Sequence, residues 1–262
     1  MPKKYELTQF ATVTVPSYRR PGNVPLMQAH YPKIIWVVAD RQDKQSYEQA
    51  GAHKVVIREG KGLLAARNTC LAIAREQGNL NLQLDDDISA FHRVHFGSTE
   101  SEHRKVQVPF EEIAQEMIYA MFLSGTYLTG ILPHDNQGFA EPQVHTWAFC
   151  IARCVLVSTL ANKRWPGKYA LKEDWAMTLK HLKTCGAITR LDYVLVDTHN
   201  TGYGGLHNYR TAKKEVRSAK YLLKRYPEFV KKHPTKAGEL LLRNRKRGMP
   251  DSAKQVYELV NR

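Results

Sequence analysis

The chain alternates between two hydrophobic rhythms. Short apolar runs come first: Phe10 to Val15, Ile34 to Ala39, then Lys54 to Ile57. Each has strand length, and the second is apolar almost without a break, as expected of a strand covered on both faces. Pro16 ends the first run. After Gly60-Lys61-Gly62 the period changes. Leu63 to Gln77 reads as a helix, with Leu64, Asn68, Leu71 and Arg75 near one face and Gly78 as its stop. Asn81 to Leu84 is the next strand.

Residues 92–109 are polar and predict a long surface loop, whereas Phe110 to Ser124 carries Ile113, Met117, Ala120 and Met121 at helical spacing. Residues 130–138 read as irregular. The stretch from Val144 to Val157 predicts one strand returning to the sheet. Glu173 to Cys185 predicts a helix ended by Gly186, and Tyr193 to Val196 another strand. A glycine-rich loop covers 200–205, and basic helices follow from Tyr209, punctuated by Pro227, Pro234 and Pro250. The succession predicts an α/β fold with a mostly parallel central sheet flanked by helices.

At 262 residues and 43% hydrophobic, the chain can bury one sizeable core, or a core plus a small appendage. No apolar run approaches the ~20 residues of a membrane span. No stretch of signal-peptide length follows Met1, so the cytoplasm is the expected location and no membrane partner is expected. Cys70, Cys150, Cys154 and Cys185 lack metal-site or disulfide-framework spacing.

Charge changes the picture more. The net charge is +14, and residues 210–262 hold 16 Lys or Arg against 5 Asp or Glu, while residues 1–209 hold 23 against 20. The last fifth therefore carries +11 of the excess. A polyanionic partner is the natural reading, nucleic acid ahead of an anionic membrane surface, with a merely solvated tail as the alternative. The densest cations are Arg243, Arg245, Lys246 and Arg247; a second group is Lys213, Lys214, Arg217, Lys220, Lys224 and Arg225.

The candidate chemistry centres on Asp85, Asp86 and Asp87, three consecutive carboxylates at the end of a strand. Adjacent carboxylates repel, and one takes up a proton unless a cation neutralises the group. Hard oxygen donors suit Mg²⁺ or Mn²⁺. A solvated acidic turn is the plain alternative. Ligands in open α/β sheets sit beyond the carboxyl ends of strands. Ser17-Tyr18-Arg19-Arg20 and Asp40-Arg41 are expected at that same edge.

The order of these motifs resembles the GT-A fold nucleotide-sugar glycosyltransferases over roughly residues 8–205. It rests on Pro16-Ser17-Tyr18-Arg19-Arg20-Pro21, Ala39-Asp40, Ala66-Arg67-Asn68, Leu84-Asp85-Asp86-Asp87 and Lys172-Glu173-Asp174-Trp175. Within that fold the chain looks most like the phage TET-associated glycosyltransferases, which are linked to sugar transfer onto 5-hydroxymethylcytosine in DNA. The narrower likeness rests on the Asp triplet, the Val144–Arg153 segment and the basic tail.

The resemblance implies a catalytic domain over 1–208, with a basic helical extension over 209–262 that contacts DNA, in a phage-infected bacterial cell. It implies Mn²⁺ or Mg²⁺ held by Asp85 and Asp87, with His199 as a third ligand or a plain loop histidine. The donor, a UDP-sugar, would meet Ser17, Tyr18, Arg19, Asp40, Arg67 and Asp86, with the acidic cluster as the other expected partner of Arg67. Asp174 would be the general base and Glu173 would orient it or the acceptor, although acidic residues at a helix start also complement its positive end. Asp40 admits a turn-forming role, Arg19 and Arg20 a solvated one, and Asn68 a helix-packing hydrogen bond. His145 and Trp147 would line the acceptor pocket, although a core position is the better reading for Trp147.

Three rival readings stay open at this point. One is transfer to a glycan or protein. Another is a nucleic-acid-binding domain that has lost activity. The third is a nucleotidyltransferase, which would want a Gly-rich, Lys/Arg-bearing phosphate loop that residues 16–21 do not supply.

Overall fold

The computed structural model describes residues 6–167, 171–199 and 209–244. The first strand β1 (Ala11–Pro16) is followed by α1 (Val24–His30), β2 (Ile35–Val38), α2 (Arg41–Gln49), β3 (Lys54–Ile57) and α3 (Leu63–Glu76). Then come β4 (Leu80–Leu84), β5 (Ile88–His95), β6 (Arg104–Gln107), α4 (Phe110–Ser124), β7 (Leu128–Ile131), β8 (Val144–His145) and β9 (Cys154–Val157). The remainder is α5 (Glu173–Cys185), β10 (Thr189–Leu191), β11 (Val194–Thr198), α6 (Ala212–Arg225), β12 (Val230–Lys232) and β13 (Leu240–Leu242).

The central sheet has eight strands in the order β3-β2-β1-β4-β9-β7-β10-β8. The pairs β3/β2, β2/β1, β1/β4 and β7/β10 are parallel; β4/β9, β9/β7 and β10/β8 are antiparallel. Six strands thus share one direction, and only β8 and β9 oppose it. The carboxyl ends of β1, β2, β3 and β4 consequently meet at one edge, joined there by the start of β9.

Strand periodicity assigns residues to the two faces. Trp36, Val38, Leu82, Leu84 and Leu156 join one apolar cluster with α1 and α4. Val37 turns the other way and packs with Ala66 and Cys70 of α3. Val155 and Val157 also lie on that side, with Leu71, Met177 and Leu182. Helix α6 packs outside α5, through Ala219 and Leu222 against Trp175 and Leu179. No helix among the described residues is long and apolar enough to cross a membrane.

Three elements differ from the sequence reading. Residues 92–109 are not a surface loop: β5 and β6 pair with β11 in a second sheet of three strands. Their apolar anchors Ile88, Phe91 and Val94 fall at every third position, a spacing that hides a strand among polar neighbours. Val144 to Val157 is not one strand, because β8 lies at the sheet's far edge and β9 near its middle. The described part of the basic tail holds one helix and then a hairpin. Pro227 follows α6, and Gly238 takes φ +81°, a left-handed conformation suited to glycine, within the connection that lets β12 pair with β13.

One buried polar chain braces the helical layer. Lys180 Nζ donates to Asn162 Oδ1 at 2.8 Å, and Asn162 Nδ2 lies 2.9 Å from His181 Nε2. The other ring nitrogen of His181, Nδ1, faces the Met177 carbonyl at 2.9 Å. Nδ1 therefore carries the proton and Nε2 accepts. Burial, opposed by the bond to Met177 and reinforced by Lys180, pushes His181 down to about 4. Below its unfolded pKa near 6.5 the unfolded chain binds a proton that the folded chain refuses. Stability should therefore fall by up to about 3 kcal/mol as pH drops from about 6.5 to about 4. Urea melts across that range should show a flatter acid limb in His181→Gln than in wild type. Identical limbs would remove His181 as the titrating group.

Candidate functional site

The Asp triplet is divided between the two faces of the sheet. Gln83 of β4 lies on the α3 side, where its Nε2 donates to the Arg67 carbonyl at 3.2 Å. Asp85, two residues on, meets the same helix: Arg67 Nη2 lies 3.3 Å from its Oδ1. Asp86 turns to the opposite side and meets the loop after β1. Arg20 Nη1 lies 2.8 Å from Asp86 Oδ1 and 3.3 Å from Asp87 Oδ2. The Ser17 hydroxyl also donates to Asp86 Oδ2. The Arg20 backbone N–H donates to the Tyr47 hydroxyl at 3.0 Å, and that hydroxyl bonds to Ser17 Oγ. One hydrogen-bonded chain therefore runs from the backbone of Arg20 to Asp86.

Arg67 joins the triplet to the start of α5. It is 3% exposed, and its Nε lies 3.2 Å from Glu173 Oε1. Its Nη1 donates to Gln83 Oε1 and the Ala152 carbonyl, each at 3.4 Å. The Trp165 ring lies 5.0 Å from the guanidinium. Asp174 follows Glu173 in the first turn of α5, where its Oδ1 accepts the Trp175 backbone N–H at 2.7 Å. The residue before them, Lys172, takes φ +63°, a left-handed conformation a non-glycine residue adopts only at some cost. Its Nζ reaches Glu215 of α6 at 2.9 Å.

Four carboxyl groups, those of Asp85, Asp86, Asp87 and Glu173, thus bond to two arginines, with Asp174 next to Glu173 in the chain. Burial, followed by Asp85 and Asp86, pushes Asp87 up to about 6. Burial and the neighbouring Glu173 push Asp174 up to about 7. Burial also raises Asp86 and Glu173, opposed by Ser17 and Arg20 at one and by Arg67 at the other. The cluster holds more negative charge than its arginines neutralise. Hard oxygen donors with surplus charge are the chemistry a divalent cation prefers, but no three of these carboxylates have oxygens within 4.8 Å of one another.

The other residues singled out in the sequence are placed as follows. Asp40 is exposed and caps α2, its Oδ1 accepting the Asp43 backbone N–H at 3.0 Å. Tyr18 is half-buried, with the guanidinium carbons of Arg19 and Arg58 at 5.0 and 5.9 Å from its ring centroid. Arg19 takes φ +56°. His199 is held by its backbone, whose N–H donates to the Asp87 carbonyl at 2.6 Å, and its side chain is exposed. Asn68 has the helix-packing role: its Oδ1 accepts the Trp165 backbone N–H at 2.7 Å. Trp147 packs on Phe229, and its Nε1 donates to the Arg243 carbonyl at 2.9 Å, which ties down the hairpin.

Among the described residues, one trio of possible metal donors lies within 4.8 Å of each other: Glu141, His145 and Asp192. Asp85, Asp87 and His199 do not form such a trio. The Glu141 group flanks β8 and β10, three to four strand spacings or about 14–19 Å from β4. There Arg190 bonds both oxygens of Asp192, one at 2.7 Å, so that carboxylate already has a cation.

On α6, Lys213, Arg217, Lys220 and Lys224 are exposed and share one helical stripe, whereas Lys214 Nζ folds back to the Tyr209 carbonyl at 2.9 Å. Arg243 Nε donates to the Pro227 carbonyl at 2.9 Å and so also braces the hairpin. Arg245, Lys246, Arg247 and the 200–208 loop lie outside the described residues. The sequence reading missed Tyr47 and Arg58, and gave Lys172 a place in a motif without its ion pair to α6. Only Gln83 left a signal, as a polar residue two positions before Asp85 on a buried strand.

No protein-family model matches the chain, and no curated protein matches it. Solved structures do. One is CMP:2-keto-3-deoxy-manno-octonic acid synthetase complexed with CTP, with 9% identity and a TM-score of 0.42 over 70% of this chain and 88% of that one. Another is mannose-1-phosphate geranyltransferase from Thermus thermophilus, with 11% identity and a TM-score of 0.30. That alignment covers 70% of this chain but only 56% of the other. Such distant likenesses concern the fold alone.

Proposed function

We propose that the protein is a divalent-metal-dependent glycosyltransferase that moves a sugar from a nucleotide sugar, a UDP-sugar by the family resemblance, to 5-hydroxymethylcytosine in DNA. The observation that carries this reading is the link from Asp85 to Glu173 through Arg67, beside Asp86 and Asp87 on Arg20, at the carboxyl edge of the parallel strands. Asp85 and Asp87 would hold Mn²⁺ or Mg²⁺, which supplies charge neutralisation for a departing nucleoside diphosphate. Arg20 and Ser17 hold Asp86 in place from the β1 side.

Asp174 is suited to the acceptor. Its carboxyl group titrates near neutral pH, where a general base works best. In an inverting transfer the acceptor hydroxyl oxygen bonds to the sugar's anomeric carbon as the bond to the diphosphate breaks. The hydroxyl proton passes to Asp174. Glu173, paired with Arg67, fixes the start of α5 and with it the base.

DNA as acceptor rests on the α6 stripe. Phosphate contacts of this kind give affinity without base reading. Replacing Lys213, Arg217, Lys220 and Lys224 together by Gln should weaken DNA binding evenly across sequences. The slope of log K against log salt should flatten by about 3, close to 0.7–0.9 for each lost contact. An unchanged slope in anisotropy titrations would clear α6 of this role.

The deciding experiment for the reaction is incubation with Mn²⁺, a panel of nucleotide sugars, and either plain or hydroxymethylated DNA. Mass spectrometry of the released nucleosides should find hexosylated hydroxymethylcytosine from the modified DNA alone. Its absence with every donor overturns the assignment.

A further inference from the structure

A cavity of about 790 Å³ lies behind the acidic cluster, between α3, the 164–167 turn and the C-terminal parts of α5 and α6. Four cations line it: Arg164, Lys180, Lys183 and Arg225. Carboxylates do not match them. Lys183 pairs with Glu228 at 3.3 Å. Arg164, Lys180 and Arg225 have no carboxylate within ion-pair distance among the described residues.

Lys180 is half-buried and held by a neutral group, the side-chain oxygen of Asn162, itself fully buried. Taking an ammonium out of water beside three more cations is unfavourable unless an anion arrives to offset it. Last-turn cations do favour a helix C-terminus, which accounts for part of the charge on α5 and α6. It does not account for Arg164, which lies on a turn.

Two aromatic residues underlie the cations. Tyr226 lines the cavity with Lys183 and Arg225 at 5.8 and 5.7 Å from its ring centroid. Trp165 lines it as well, and its indole N–H is buried without an acceptor among the described residues. Both rings are covered, Trp165 at 2% and Tyr226 at 3% exposure, so the open wall of the cavity is cationic and suits anionic oxygens.

We infer that this cavity binds the phosphate group of a nucleotide unit among Arg164, Lys180, Lys183 and Arg225. The site is separate from the metal cluster, and the inference stands whether or not sugar transfer is the reaction. The unit comes from a free nucleotide or from a nucleic-acid strand. The cation stripe of α6 ends beside Arg225, which makes a strand laid along that helix one source.

The test is a set of binding titrations with the full chain, read by anisotropy of a labelled single-stranded oligonucleotide and by calorimetry with a nucleoside 5′-monophosphate and with inorganic phosphate. Arg164→Gln/Lys180→Gln should weaken nucleotide or strand binding at least tenfold. The equal-charge control Lys44→Gln/Lys54→Gln should change it less than twofold. Lys180→Arg in the otherwise native chain should retain binding, and Asp87→Asn should bind as wild type. Displacement of the strand by the monophosphate assigns the site to free nucleotides; displacement by competitor strand alone assigns it to nucleic acid. Thermal melts establish that each variant is folded. Equal affinities of the cavity variant and its control, for phosphate as for the strand, would overturn the inference.

Discussion

Asp87→Asn should lose sugar transfer by about 10³-fold or more, while the metal-free protein becomes more stable at pH 8. The two effects share one cause. Asp87 is crowded by Asp85 and Asp86 in a partly buried setting, and its carboxyl group is pushed up to about 6. A carboxyl group with a raised folded-state pKa opposes folding once it ionises. The cost sets in above the unfolded value near 4 and is complete above about 6. Asn carries no such charge, so the gain should be about 1–3 kcal/mol at pH 8 and vanish near pH 4. The same substitution removes a donor to the cation that neutralises the leaving diphosphate.

Asp174→Asn separates the roles within the cluster: it should keep metal-dependent donor binding and lose transfer. Calorimetry with Mn²⁺ and the donor, together with melts at both pH values, reads all of these quantities. Wild-type turnover by Asp87→Asn would remove the metal assignment. A loss of stability at pH 8 would contradict the charge argument.

The opposite behaviour of neighbouring aspartates shows what could be read from the chain and what could not. That Asp85 to Asp87 end a buried strand was legible, because Asn81 to Leu84 is bounded and strand-like. The parallel order of the first strands was legible from apolar runs separated by a helix. The acidic cluster was one of two partners offered by the place of Arg67 early in a helix at that edge. The partner of Arg20 was not legible: it lies 66 residues from Asp86, and nothing local distinguishes it from a solvated arginine. Period two does foretell that Asp85 and Asp86 face opposite sides, but only once the strand's two covers are known. Strands β5, β6 and β7 were missed for a related reason: their stability comes from cross-strand pairing, which sequence propensity reflects weakly.

Arg67→Met should cost about 3–5 kcal/mol of stability at pH 7.5, the largest loss expected of any single change in the site. Arg67 is 3% exposed, and its guanidinium meets two carboxylates, one side-chain amide and one carbonyl. Methionine fills much of the same volume but leaves Glu173 buried beside Asp85 without a cation. Most of the cost is therefore uncompensated charge, not lost packing. Two consequences follow and can be measured by urea denaturation. The deficit should shrink at pH 5, where the stranded Glu173, raised already by burial, takes up a proton. Adding Glu173→Gln should recover about 1–3 kcal/mol relative to the sum of the single changes. Arg67→Lys should rescue little, because a compact ammonium cannot reach Glu173, Asp85 and Gln83 from one position. A deficit equal at both pH values, with no coupling to Glu173, would make Arg67 a packing residue and detach α5 from the acidic cluster.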